Sequence, residues 1–296
     1  MHVFVTGATG LIGRALCEAL VRRGDEVTAL SRRPGAARPA GVRLVEGDPA
    51  VAGRWIEALA GADAVVHLAG EPVAGGRGTA ARKARIVASR LDSTRLVAGS
   101  VAAGGPHVLV QGSATGFYGD RGDEPLDEAA APGRGFLADL SVRWEAAAAP
   151  AAARARVVFI RTGLVLARQG GALPALARPF RLLVGGPLGD GLGWQPWIHL
   201  ADELGLLLLA LDDARASGPL NAVAPAPVRQ AELARTLARV LRRPNLFPVP
   251  ALTLRVAVGE MAEVLLASQR VVPGVAQTLG YRFRFPALEP ALRDLL

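Results

Sequence analysis

Short apolar segments alternate along the first half of the chain with longer segments rich in Ala, Leu and Arg. The apolar segments predict β-strands at residues 2–6, 26–30, 43–46, 64–68, 107–112 and 156–161. The segments between them predict helices at residues 11–23, 51–60, 79–103 and 136–149. Strands that are apolar throughout are typical of a parallel sheet covered on both faces. The pattern therefore predicts an α/β fold with a doubly wound parallel sheet and right-handed crossovers.

The second half of the chain has a different pattern. Residues 163–196 are rich in Gly and Pro and cannot form one regular element. A strand, a helix and a second strand are predicted after them, at residues 197–200, 201–211 and 219–223. We therefore expect a larger unit of residues 1–163 plus about 197–224. A smaller unit of about 164–196 plus 225–296 is expected to lie over the carboxyl edge of the sheet.

Composition excludes several classes of protein. Hydrophobic residues make up 51% of the 296 residues, so the chain can bury a full core. Cys17 is the one cysteine, so no intrachain disulfide can form, and the four histidines have no cysteine cluster that would indicate a metal site. The formal net charge is +8, but the arginines are spread from Arg14 to Arg293 without interleaved aromatic residues. We therefore expect no nucleic-acid partner.

The apolar segments are too short for a membrane partner. The longest strongly apolar run, residues 204–211, falls far below the ~20 residues of a membrane span. The first residues lack the basic region of a signal peptide, and glycines interrupt their apolar stretch. We expect a cytoplasmic protein.

One glycine-rich segment predicts a nucleotide site. Gly7, Gly10 and Gly13 follow the first predicted strand and open the first predicted helix. In a Rossmann-type site these glycines permit a tight turn, close approach of a pyrophosphate and close packing of the helix on the strand. The helix N-terminus adds N–H donors and a positive dipole end. A turn without a ligand is the alternative. The other loop residues predicted to bind a dinucleotide are Thr9, Leu11 and Ile12.

The end of the second strand indicates which dinucleotide is bound. Sites for NAD place Asp or Glu here to bind the ribose, whereas a 2′-phosphate needs a cation. The chain has Ser31, Arg32 and Arg33 at this place, and arginine binds phosphate well. Two solvated surface arginines are the alternative. We predict NADP(H) as the preferred cofactor over NAD(H), with Asp48 near the adenine.

Several motifs carry a resemblance to a known family. The chain contains, in order, TGATGLIG from Thr6, VVHLAGEP from Val65, GSATGFYGD from Gly112, RTGLVL from Arg161 and WIHLADE from Trp197. Together they resemble the extended short-chain dehydrogenase/reductase superfamily. The runs LAGEP, FLADLSVRWE and GGPLGDGLGWQPWIH resemble an epimerase-like branch of it, which has its own small C-terminal domain and a largely unknown substrate. The motif residues that we predict to contact the cofactor are Leu68, Ala69, Gly70 and Arg161.

The catalytic pair of that superfamily is missing. Its members use a serine and Tyr-x-x-x-Lys, in which the tyrosine exchanges a proton with the substrate oxygen and the lysine lowers its pKa. The tyrosines are Tyr118 and Tyr281 and the lysine is Lys83, so no Tyr-x-x-x-Lys exists. Ser113 matches the family serine. The pairs aligned with Tyr and Lys are Phe136 with Leu140, or Leu137 with Ser141.

Three residues remain as candidates for catalysis. Ser113 is retained, and Tyr118 is the only phenol near the expected nicotinamide, although packing in the loop is the favoured interpretation for it. Glu71 follows the fourth strand, where active sites form, and acts either as a general acid or base or as a cap.

Five further positions have a structural interpretation. Gln195, Trp197 and His199 are pocket candidates, with packing between the two units as the alternative. We expect His67 to face the sheet interior or a neighbouring backbone, and Asp202 to help start the following helix as an N-terminal carboxylate.

Two functions are consistent with these residues. The first is an NADP(H)-dependent oxidoreductase or epimerase that acts on a small carbonyl or sugar-like substrate, which the retained Ser113 favours. The second is a non-catalytic NADP(H)-binding sensor or scaffold, which the missing Tyr-Lys pair favours. We expect a monomer or a homodimer with an unidentified small-molecule substrate.

Overall fold

The secondary structure follows the expected alternation. The computed structural model describes residues 1–33, 35, 37–73, 78–258, 262 and 266–296. Its strands are β1 His2–Thr6, β2 Glu26–Ser31, β3 Val42–Glu46, β4 Ala64–His67, β5 Val108–Ala114, β6 Pro125–Leu126, β7 Arg156–Thr162, β8 Leu164–Leu166, β9 Trp194–Gln195, β10 Trp197–His199, β11 Gly218–Ala222, β12 Val228–Arg229 and β13 Arg270–Val271. Its helices are α1 Leu11–Arg23, α2 Trp55–Ala60, α3 Ala80–Ala102, α4 Phe136–Ala147, α5 Leu173–Arg181, α6 Leu200–Asp212, α7 Gln230–Leu241, α8 Ala251–Val258, α9 Gly274–Thr278 and α10 Leu288–Leu295.

A seven-stranded sheet forms the centre of the larger unit. Its strand order is β11-β7-β5-β4-β1-β2-β3, and every neighbouring pair is parallel. The strand order reverses between β1 and β4. In open parallel sheets, ligands bind at the carboxyl ends of the strands beside such a reversal. The prediction of a Rossmann-type doubly wound sheet is confirmed.

Helices cover both faces of the sheet, which explains why its strands are apolar on both sides. One face packs against α1 and α6 through buried Leu16, Leu20 and Leu206. The opposite face packs against α2 and α3 through buried Trp55 and Val97, among others. Among the described residues, no helix is both long enough and apolar enough to cross a membrane.

The smaller unit has a core of its own. Buried side chains from β8, α5, β10, α7 and α10 meet there, Trp197 among them. β10 pairs with β8 outside the large sheet, although we expected residue 197 to begin the return to the larger unit. The elements that follow β10 do return: α6 packs on the sheet and β11 forms its last strand. Residues 259–261 and 263–265 of the predicted smaller unit lie outside the described residues.

Candidate active site

Residues 7–13, which join β1 to the first turn of α1 and are called the α1 loop, leave room for a phosphate. Gly7 has φ +70°, and a Cβ there would lie 2.7 Å from the carbonyl carbon of Leu68. A Cβ at Gly13 would collide with the carbonyl oxygen of Gly7, whereas one at Gly10 would meet only that oxygen, at 3.2 Å. No side chain caps α1, so its first N–H groups stay available to an anion.

Buried hydrogen bonds position the turn beside this loop. The Nδ1 atom of His67 lies 2.6 Å from the Thr6 hydroxyl, and its Nε2 atom lies 3.0 Å from the Ser93 hydroxyl. Burial lowers the pKa of His67 to about 3, so the ring is neutral at pH 7. Thr6 also accepts the backbone N–H of Ala69 at 3.3 Å, which fixes the predicted cofactor contacts 68–70 beside Gly7. The expectation that His67 faces the interior is confirmed.

Two guanidinium groups lie free at the end of β2. Arg32 and Arg33 are exposed, and within the described part of the chain neither side chain forms an ion pair or hydrogen bond. The Ser31 hydroxyl accepts the backbone N–H of Arg33 at 3.1 Å, which orders the turn. Asp48 accepts the N–H of Ala50 at 2.9 Å and so stabilises the turn after β3. The two guanidinium groups fit a 2′-phosphate better than a ribose diol.

A cleft of about 550 Å³ opens at the carboxyl ends of β5 and β7. Its walls come from the loop after β5, from α3 and α4, from residues 162–164 and 195–196, and from residues 266–269. Both pairs of positions where the family resemblance aligns Tyr and Lys line it, Phe136 with Leu140 and Leu137 with Ser141. In either alignment, the cleft has neither a phenol nor an ammonium at these positions.

A carboxylate that sequence reasoning missed holds the retained serine. The Ser113 hydroxyl donates to Glu145 at 2.6 Å, and the same carboxylate receives two hydrogen bonds from Arg161, both at 2.9 Å. Ser113 is 6% exposed and Arg161 is 4% exposed. Glu145 lies within the stretch FLADLSVRWE, but nothing local to it indicates these partners.

Arg161 and Tyr118 lie in the core below the cleft. Every nitrogen of the Arg161 guanidinium bonds to a protein atom, and its Nη1 donates to the Tyr118 hydroxyl at 3.0 Å. Tyr118 is 0% exposed and donates to Asn221 at 2.7 Å, and burial raises its pKa. We predicted that Arg161 contacts the cofactor, but in the structure its guanidinium is bound by protein partners. The structure also puts Tyr118 in the packing role that we favoured for it.

The remaining candidates divide between the cleft and other places. Gln195 lines the cleft, whereas Trp197 is fully buried and donates to the carbonyl of Ala226 at 3.0 Å. The His199 Nδ1 atom accepts the N–H of Ala201 and so caps α6. Glu71 is half-buried and does not line the cleft. Its backbone forms hydrogen bonds with Ser89 and Arg90 of α3, and its charge raises the pKa of Arg90.

Asp202 lies in the first turn of α6, as expected of an N-terminal carboxylate, although the side chain that caps the helix is His199. The Asp202 carboxylate instead accepts the backbone N–H groups of Arg284 at 2.7 Å and Phe285 at 2.9 Å, and the Tyr281 hydroxyl at 3.1 Å. It therefore attaches the C-terminal segment to α6. Within the described residues, no group of three or more His, Cys, Asp or Glu is placed to hold a metal ion.

Comparisons with known proteins agree with this geometry. The profile of the NAD dependent epimerase/dehydratase family matches residues 3–223, and a domain of unknown function, DUF1731, matches residues 249–295. The epimerase family protein SDR39U1 of Mus musculus is 37% identical over 302 residues, which cover 100% of both chains. Its chloroplastic homologue in Arabidopsis thaliana is 37% identical over 307 residues, which cover 100% of this chain and 87% of that protein.

A solved structure extends the comparison to the whole fold. The crystal structure of human SDR39U1 (isoform 2) with NADPH has a TM-score of 0.89 and 34% identity, and the match covers 100% of this chain and 99% of that one. The resemblance inferred from the motifs is thereby confirmed. The profile match, the full-length relatives and the shared fold show that the chain belongs to the NAD-dependent epimerase/dehydratase family.

Proposed function

We propose that the chain is an NADP(H)-dependent oxidoreductase or epimerase-like enzyme that acts on a small carbonyl or hydroxyl substrate in the cleft. The observation that carries this proposal is the position of the α1 loop and the cleft, which open at the same carboxyl edge of one parallel sheet. A ligand that spans this edge would reach from one to the other. The human relative solved with NADPH supports the choice of cofactor.

The residues present fit that cofactor. The uncapped N–H groups of α1 would bind the pyrophosphate, and the space in front of Gly10 would admit it. The exposed guanidinium groups of Arg32 and Arg33 would bind the 2′-phosphate. When bound, NADPH supplies a hydride at its nicotinamide ring. The protein's part is to hold the substrate carbon and to provide or remove a proton.

The tyrosine that supplies the proton in the family has no counterpart in this site. Ser113 directs its hydroxyl proton to Glu145, and neither Phe136 nor Leu137 carries a proton that it could transfer. A positioned general acid contributes ~10²–10⁴ in rate. We therefore expect generic ketones to be reduced slowly, by about that factor compared with enzymes that retain the Tyr-Lys pair.

Side-by-side fluorescence titrations with NADPH and NADH test the proposed cofactor. One charge-assisted pair changes affinity by roughly ten- to a hundredfold. We expect NADPH to bind at least roughly tenfold more tightly than NADH. Arg32→Ala should remove most of that difference and leave NADH binding unchanged. Arg43→Ala, an exposed arginine on β3, is the matched control. Equal affinities for the two cofactors would refute the assignment.

One observation favours a second function. Neither pair of aligned positions in the cleft restores Tyr and Lys, so the chain could bind NADPH and report its presence without turnover. The two functions separate in an assay of NADPH consumption with a panel of aldehydes, ketones and oxo acids. Tight NADPH binding without consumption of any panel member favours the sensor, and consumption of one favours the enzyme.

A further inference from the structure

The charged groups that line the cleft are mainly positive. Lys83 and Arg90 reach it from α3, and Arg134 reaches it from the segment before α4. Among the described lining residues, Asp120 is the only carboxylate, and it accepts the backbone N–H groups of Gly122 and Ser268 at 3.3 Å. The cleft therefore offers a net positive field to any ligand.

Arg90 is held rigidly in one orientation. Its Nη1 atom donates to the carbonyl of Glu71 at 2.8 Å and to that of Ile86 at 3.3 Å. Its Cζ atom lies 4.8 Å from the centre of the Trp144 indole, and the Trp144 Nε1 in turn donates to Thr94 at 2.9 Å. A cation over an aromatic face is attracted to it, so these contacts fix the plane of the guanidinium.

This guanidinium forms no close ion pair. Within the described part of the chain no carboxylate lies within 4.0 Å of it, although the charge of Glu71 is near enough to raise its pKa, and its Nε and Nη2 atoms make no hydrogen bond. Burial lowers the pKa of Arg90 to about 10, so it still carries its charge at pH 7. The guanidinium is half-buried and donates only to two carbonyls, so an oxyanion in the cleft would add a charge-assisted hydrogen bond to its remaining donors.

We propose that Arg90 anchors an oxyanion of the substrate, a carboxylate or a phosphate. The substrate class would then be a small acid that also carries a carbonyl or hydroxyl carbon, an assignment that rests on the proposed function. No residue of the α1 loop lines the cleft, so this anion differs from the cofactor's pyrophosphate. A phosphate of the cofactor is the alternative anion for Arg90. Gly70 is a predicted cofactor contact, and a Cβ at Gly70 would lie 3.2 Å from the Arg90 Cζ.

Three aromatic probes separate charge from shape. Benzoate and benzamide match closely in size and differ in charge, and phenyl phosphate replaces the carboxylate with a phosphate. Their binding is measured by calorimetry on the full chain, both saturated with NADPH and without it. We expect benzoate or phenyl phosphate to bind at least roughly tenfold more tightly than benzamide.

Variants then assign the charge. Arg90→Gln should remove the preference for the anions while NADPH affinity stays within about twofold. Arg85→Gln, an exposed arginine on the same helix, removes the same charge and should change neither. The comparison of benzoate with benzamide needs only the unsubstituted chain, so it decides the question even if Arg90→Gln does not fold.

Two results would overturn the proposal. One is equal binding of benzoate, phenyl phosphate and benzamide to the unsubstituted chain. The other is an Arg90→Gln chain that loses NADPH affinity but keeps the preference for the anions, because the guanidinium would then serve the cofactor. Anion-selective binding that depends on Arg90 in a chain that does not bind NADPH would support the oxyanion site and refute the proposed function alone.

Discussion

The three glycines of the α1 loop differ in the atoms that a side chain would meet. Substitutions at them should therefore affect either folding or cofactor binding, depending on the position. Gly10 has extended backbone angles, and its Cβ direction is open apart from the Gly7 oxygen. We expect Gly10→Val to keep the melting temperature within a few degrees but to weaken NADPH binding at least roughly tenfold, since the side chain would occupy the pyrophosphate space. Thermal melts and fluorescence titrations measure both effects.

Gly13 is the contrasting position in that loop. Its Cβ would collide with the Gly7 backbone, so Gly13→Ala should lower the free energy of unfolding by about 2 kcal/mol or more. If Gly10→Val is folded and binds NADPH as the unsubstituted chain does, the phosphate-loop assignment is wrong.

Glu145 and Arg161 form a buried ion pair whose loss should be costly. Their side chains are 12% and 5% exposed. Glu145→Gln leaves a buried guanidinium without its counter-charge, and such a change costs about 3–5 kcal/mol. Glu124→Gln, at the exposed pair with Arg121, is the control and should cost ~1 kcal/mol or less. Urea denaturation measures both, and equal small losses would contradict the importance of the buried pair.

Local sequence predicts a site residue only when its role depends on local geometry. The α1 glycines follow from a turn of eight residues, and His67 from its place inside an apolar strand. Glu145 acts on a serine 32 residues away, and a pattern of adjacent residues carries no information about that contact. A motif match placed Arg161 at the site, but it could not show that the guanidinium N–H groups of Arg161 bond to protein atoms.

At the scale of elements, α6 connects the large sheet to the C-terminal segment. Asp202→Ala would leave the buried N–H of Phe285 and the partly buried N–H of Arg284 without acceptors, which should cost about 2 kcal/mol. Hydrogen exchange at these two amides should accelerate accordingly. Asp212→Ala, at the exposed end of α6, should leave their exchange unchanged. Slow exchange at both amides in Asp202→Ala would show that other groups hold the segment.

Glu203, also on α6, should make stability depend on pH. Its carboxyl group is 0% exposed, receives the Thr162 hydroxyl at 2.8 Å, and has a pKa raised to about 8 by burial. The folded chain therefore keeps a proton that the unfolded chain loses above its usual pKa of 4.5. Stability from this group is fully present below that pH and falls as the pH rises to about 8, by about 3 kcal/mol between pH 5 and pH 8.

Glu203→Gln tests this dependence because the amide resembles the protonated acid. The variant should match the unsubstituted chain near pH 5 and exceed its free energy of unfolding near pH 8. Denaturant titrations across that range measure the difference, with exposed Glu232→Gln as the control. A difference between the variant and the unsubstituted chain that does not change with pH would contradict the raised pKa.

Element prediction succeeded where one periodicity extends over a whole element. The strands of the large sheet lie within two residues of their predicted bounds, and α1 matches at both ends. α5 was not predicted, because Pro174 and Pro179 within nine residues indicate a loop. Its buried Leu173, Ala177 and Phe180 form one face, so packing on the smaller core outweighs the lost hydrogen bonds. The helix predicted from residue 51 begins at Trp55, since residues 51–54 form a bend that accepts the indole N–H.

At the scale of the whole molecule, the contacts between the two units include a residue of the α1 loop. A Cβ at Gly171, in the loop after β8, would lie 3.1 Å from the Leu11 side chain at the start of α1. Asp202 attaches the C-terminal segment, and Glu128 accepts the N–H groups of Asn221 in β11 and Val275 in α9. The units therefore share hydrogen bonds as well as apolar contacts. If either unit unfolded, the other would lose contacts that stabilise it.

We consequently expect one cooperative unfolding transition that NADPH shifts as a whole. A ligand bound only by the folded state at a hundred times its Kd adds ~2.7 kcal/mol to the free energy of unfolding. Calorimetry should show a single transition that moves upward with NADPH concentration, and Gly10→Val should retain the single transition but lose the shift. Two transitions, of which NADPH moves only the one that includes the large sheet, would mean that the loop after β8 and the C-terminal segment unfold independently of the cofactor site. In that case the cleft between the units would not be preformed around the nicotinamide, and the substrate would have to bring them together.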